Sequence, residues 1–278
     1  MFSEATRTWS QALGIPADAE PSDVCAAFER LAPQLAPRDV GGIPVYCLQT
    51  SALPTSCRRG YCGGWTSSIA YWQLQPYLAD DRGPGCVLVV ADDDGQERNE
   101  VLVDEIQKVL LCAGVSDTRA EIRELAHEAG ILRGSVGSIA SILAHEFAHA
   151  LEYLASGAFE EWTEMLSGSS TRFHRTVQHR FEAECMSTQL QTEAPEPQTD
   201  LHGPSFTRCV AHLERRLWRR GVRGEPHNVA GPYFGQPEYA ECRRALASET
   251  SACQRLSFRQ ILSRPMPTAF QQLLEATR

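Results

Sequence analysis

The chain has 278 residues and a formal charge of −9, long enough for one large domain or two small ones without staples. That charge excludes a surface built throughout to grip nucleic acid, since such binding draws most of its energy from neutralising phosphates. Ten cysteines form no C-x-x-C pair, and several sit in apolar runs such as GCVLVVA, which excludes a zinc ribbon and fits buried free thiols in a reducing compartment.

Residues 1–38 read as a helical lead. ATRTWSQALGI and DVCAAFERLAPQL carry apolar residues at helical spacing around a PADAEPSD turn, and the expected role is a packing appendage. The N-terminus lacks a basic segment followed by an apolar core, and no run of about 18 apolar residues occurs anywhere, so the expectation is a soluble, cytoplasmic protein with no membrane partner.

IPVYCLQT (43–50) and CVLVVADDD (86–94) read as strands, separated by the glycine-rich GYCGGW and a helix through SSIAYWQLQPYL. VLVDEIQKVLL (101–111) suits strand or helix equally, whereas DTRAEIRELAHEAG (117–130) has an acidic first turn and reads as helix. The expected class is α+β, a small mixed sheet followed by helices.

SILAHEFAHALEYL (141–154) holds the chemistry. It lies on a helix that starts near the GSVGS turn and stops by Gly157. His145 and His149, four residues apart, can present two imidazoles to one point, and zinc accepts such nitrogens. Leu143, Phe147, Leu151 and Leu154 form a stripe roughly opposite them that anchors the helix in a core, with Ala144, Ala148 and Ala150 on the flanks. Glu146 is set about 100° round from His145, where it can serve as a general base without binding the metal. Glu152, three residues past His149, is placed either to orient a ligand or to face solvent.

A zinc site that works on substrate usually needs a third protein ligand. His202 in LHGPSF precedes a Gly-Pro corner suited to a helix start, while Glu182 and Glu184 in FEAEC are alternatives; His174, His179 and His227 are further histidines. TEAPEPQTD marks a solvated linker inside an insertion spanning about 158–200. Beyond it, Arg208, Arg215, Arg216, Arg219, Arg220 and Arg223 crowd one helix and its exit. Phe206, Val210, Leu213 and Leu217 would face the core, and the arginines read as a solvated basic face, with nucleic acid or an acidic partner as the less favoured reading. Tyr233 and Tyr239 could polarise a substrate carbonyl, although packing or turn roles are favoured, and a last helix runs through PTAFQQLLEATR.

The segment AHEFAHALE resembles the zincin superfamily of metallopeptidases, in which the corresponding positions act as ligand, base and ligand: His145, Glu146 and His149. H-G-P-x-F resembles the third-ligand motif of SprT-like metalloproteases, which implies His202 as that ligand. It lies 53 positions beyond His149, a longer gap than that group implies and one that an inserted helix at 171–189 would account for; no cysteine-rich ribbon follows. The resemblance implies a zincin-like fold over 39–278, a small mixed sheet packed on the H-E-x-x-H helix. It also implies one Zn2+ and hydrolysis of a protein or peptide by a zinc-activated water with Glu146 as base. Zincin substrates typically lie along an edge strand above the metal helix, a role open here to CVLVVA or IPVYCL. Two other readings stay open: a zinc-binding regulatory or scaffold protein without turnover, and a nucleic-acid-associated module using the Arg-rich helix over 205–223.

Overall fold

The computed structural model describes residues 8–40, 43–49, 51, 64–67, 86–90, 96–112, 118–128, 135–156, 203–222 and 237–276. The chain begins with α1 (Trp9–Leu13), opened by a capping box between Thr8 and Gln11 and closed by Gly14 at φ 70°, a left-handed position that costs glycine no Cβ clash. In α2 (Pro21–Leu35) Pro21 occupies the first turn, where its missing N–H costs nothing, and Val24, Phe28, Leu31 and Leu35 are buried on one face.

Among the described residues three strands form one mixed sheet: β1 (Val45–Gln49), β2 (Gly64–Ser67) and β3 (Cys86–Val90). The order is β1-β3-β2, with β1 parallel to β3 (Val45 opposite Cys86) and β2 antiparallel to it (Gly64 opposite Val90). All of CVLVV is buried, as expected of a strand paired on both sides and covered on both faces. CVLVV, the described part of CVLVVA, is therefore the central strand of the described sheet, which removes that segment from the two edge-strand candidates. β2 was not legible in the sequence: GWTS is only four residues and owes its extended form to pairing with β3. Ser67, the first residue of the helix expected through SSIAYWQLQPYL, ends β2 instead, and the rest of that segment lies outside the described residues.

The ambiguous 101–111 run is helical, within α3 (Gln96–Cys112). It pairs with α4 (Arg119–Glu128) around Val103, Ile122 and Ala126, and Glu100 accepts ion pairs from Arg119 and Arg123.

The centre of the molecule is α5 (Val136–Ser156), whose N-terminus is capped by Ser135 Oγ accepting from Ser138 N–H at 3.2 Å. It packs against β2, β3, α1, α2, α6 (Pro204–Arg219) and α8 (Phe258–Leu262). Leu143, Phe147 and Leu151 are fully buried, and Phe28 of α2 meets Phe147 edge-on at 6.2 Å. Trp9, Val24, Phe28 and Leu35 belong to the same apolar cluster as these residues, so the N-terminal helices wall the core rather than append to it. α7 (Pro237–Ala252) and α9 (Thr268–Ala276) close the far side of α6 around Ala211, Leu246 and Phe270.

The Arg-rich helix departs from the solvated face expected of it. Arg208, 2% exposed, donates to both carboxylate oxygens of Glu249 at 2.8 and 2.9 Å and to the carbonyls of Arg264 and Pro265. Arg216 donates to the carbonyls of Leu35 and Leu256 and lies 4.3 Å over the Phe258 ring, while Arg220 donates to Gln34. Three of the six arginines thus tie α6 to α2 and to the chain around α7 and α8, and Arg223 lies outside the described residues. The core-facing assignment of Phe206, Val210, Leu213 and Leu217 agrees with their burial. Cys25, Cys47, Cys86, Cys209 and Cys253 are buried free thiols. Among the described residues no helix is long and apolar enough to cross a membrane.

Candidate metal centre

Along α5 nearly every side is covered, so partial exposure is informative. Ser138, Ile142, His145, His149 and Glu152 are the half-buried positions on one flank, and they span a stripe of roughly 80° at 100° per residue. Gly137, Leu154 and Ala155, towards the helix ends, are half-buried off this flank, so the histidine side is the least covered side of the middle turns of the helix.

The two imidazoles lie with ring centroids 5.1 Å apart and planes at 79°. Phe206 fixes them. Its ring, fully buried, stacks on His149 at 3.9 Å and 23° and meets His145 edge-on at 5.1 Å. A metal is bound through the in-plane lone pair of a ring nitrogen, whereas stacking uses the ring face, so the contact orients His149 without competing for a ligand position.

The local sequence explains why Phe206 reaches this point. Gly203 caps α6 in extended conformation, and Pro204 sets the first helical residue, which puts Phe206 in the first turn directly over His149. His202 lies outside the described residues, but the four residues that follow it bring the entrance of α6 to the histidine pair. Glu182, Glu184, His174, His179, His227 and Tyr233 also lie outside, as does the side chain of Tyr239. Among the described residues no group of three or more His, Cys, Asp or Glu side chains is placed to hold a metal. Two imidazoles on one face of a helix fit zinc as part of a ligand set, and a complete set would need further ligands from outside the described residues.

Glu146 is 5% exposed, and burial pushes its carboxyl up to about 8. A carboxyl in that environment keeps its proton near neutral pH, and a divalent cation nearby would draw the value down again. Glu152 is half-buried, its carboxyl raised by burial; the Cys209 thiol on α6 is raised chiefly by its own burial and, less, by the charges of Glu152 and Asp39. The α5–α6 seam thus brings Phe206 onto His149.

Two residues of this neighbourhood escaped the sequence reading. Phe206 was assigned to the core by its spacing, and nothing in a one-dimensional pattern says that its core neighbour is an imidazole. Ser141 lies one turn before His145 on the same flank; it is 1% exposed and its Oγ has no hydrogen-bond partner among the described residues. Its position four residues before a histidine was the available signal.

No family model, curated protein or solved structure matches the chain.

Proposed function

We propose that the protein is a zinc-dependent peptidase with a zincin-like arrangement of its sheet and active-site helix. The observation that carries this reading is the pair His145–His149 on the least covered flank of a buried helix, clamped by Phe206 from the first turn of α6. An idle pair of histidines needs no such clamp, and a metal site does, because ligand orientation sets affinity.

In this proposal His145 and His149 hold the zinc, with His202 or, failing it, Glu184 or Glu182 as third ligand. Bound zinc would supply Lewis acidity, polarising a peptide carbonyl and acidifying water. Glu146 does the proton work. Enclosed beside the imidazoles, it accepts a proton from the attacking water and passes it to the leaving amine, so one carboxyl serves as base and then acid. β2 is an edge of the described sheet and packs on α5, which makes it the strand best placed to receive an extended peptide.

The test is metal analysis with a variant. Purified protein should carry close to one equivalent of zinc, and Glu146→Gln should keep the metal yet lose all cleavage of a broad peptide library. A variant that cleaves as well as the parent removes Glu146 from the mechanism. Zinc without chelator-sensitive cleavage by the parent would instead favour a regulatory or scaffold protein.

A further inference from the structure

We propose that the groove between α6 and α7 binds a short acidic peptide carrying an apolar side chain. This inference does not rest on the peptidase reading. The groove residues of α6, including Glu214, Arg215 and Trp218, are turned by about 80° to 180° round the helix from Phe206.

The groove encloses about 370 Å³, within the range of sites that take a small ligand or a few residues of peptide. Ala211, Trp218 and Ala247 supply its apolar lining, and Arg215, Arg243 and Arg244 line it as well. The three arginines differ in what they already hold. Arg243 lies 4.6 Å over the Trp218 ring and pairs with the buried Glu214 at 3.2 Å, so it shapes the wall. Arg244 pairs with Glu241 at 3.6 Å across an exposed surface, a contact weak enough for an incoming carboxylate to replace. Arg215 pairs with no carboxylate among the described residues, and its Nε is buried without a hydrogen-bond partner.

Two cationic heads, one from each helix, thus flank an apolar slot on a chain whose net charge is −9. That combination selects an occupant with carboxylates on either side of an apolar group. Nucleic acid fits less well: its affinity comes from a row of neutralised phosphates, and here Arg208 and Arg216 are committed inside the fold, Arg220 is tied to Gln34 at the surface, and Glu241 pairs with Arg244.

The experiment uses fluorescence anisotropy with a labelled hexapeptide, two leucines between pairs of acidic residues. Its glutamine counterpart and a single-stranded DNA of matching charge serve as the other arms. The full-length protein should bind the acidic peptide saturably, with a Kd on the order of 10–100 µM that weakens with salt. Arg215→Gln/Arg244→Gln should weaken it at least about tenfold. Ala247→Trp, which places an indole in the slot from an exposed position, should abolish it with both arginines intact. All of these substitutions spare the Arg243–Glu214 pair, and a thermal melt confirms that each variant is folded. Equal binding of the glutamine peptide, tighter binding of the DNA, no saturation by 1 mM acidic peptide, or indifference to Ala247→Trp would each overturn the proposal.

Discussion

Replacing Phe206 by leucine tests whether the ring acts on the histidines or merely fills space. Phe206 is wholly buried, so the loss of ring atoms should cost the metal-free protein about 1–2 kcal/mol, less than the 3–5 kcal/mol of truncation to alanine. The stack on His149 at 3.9 Å adds something separate: aromatic pairs gain about 0.5–1.5 kcal/mol beyond burial, which bounds the energy that holds the imidazole in its ligand orientation. Releasing the ring should therefore lower zinc affinity by up to about tenfold, at the lower end of the loss seen when groups supporting metal ligands are removed. Zinc affinity is read by competition with a chromophoric chelator, and stability by urea unfolding of the metal-free form. A Phe206→Leu protein that unfolds earlier but binds zinc within twofold of the parent would show that the ring is packing only. A parent that takes up no zinc would refute the metal reading itself, whatever the variant does.

His202→Ala should weaken zinc binding on the order of a hundredfold or more while Glu184→Gln leaves it unchanged, and the reverse pattern in the same titration would transfer the third ligand to the insertion. Glu249→Gln should destabilise the fold by about 3–5 kcal/mol, because Arg208 would keep a buried charge without its carboxylate; the double replacement Arg208→Met/Glu249→Leu should cost less than that single change, and a larger cost would show that the pair is worth more than its desolvation. Stability should also fall with acid in two stages. Burial holds His212 below its ordinary value despite Glu249, so that contribution is complete above about 6.5 and is lost as pH drops through the lowered value. Burial raises Glu249, but hydrogen bonds from His212 and Arg208 outweigh it and leave the carboxyl low, so its contribution persists above about 4 and is lost below. Thermal melts from pH 8 to 3 should show both stages, and His212→Gln should remove the first.

The site and the fold were legible to different depths. The H-E-x-x-H pattern placed His145, Glu146 and His149 on one helix, because residues four apart on a helix are neighbours whatever surrounds them. Other local signals gave the helix start near the GSVGS turn, the Gly-Pro entry to α6 and the strand character of the run at 86–90. The pairing of β2 could not be read, since its four residues are extended only by virtue of β3. The fate of the arginines could not be read either. Arg208, Arg216 and Arg219 are alike in sequence, and only tertiary partners make the first two internal struts and leave the third exposed.

What the sequence by itself determined was a set of periodicities: which residues share a helix face, where helices begin, and which segment carries two imidazoles at ligand spacing. Those follow from local backbone geometry, which depends on near neighbours in the chain. Only the tertiary structure decided that Phe206 lies on His149, that Glu146 is enclosed enough for its carboxyl to be pushed up to about 8, and that CVLVV is the middle strand. Each of these depends on contacts between distant parts of the chain, and both burial and ring stacking are properties of the packed core that no window of sequence contains.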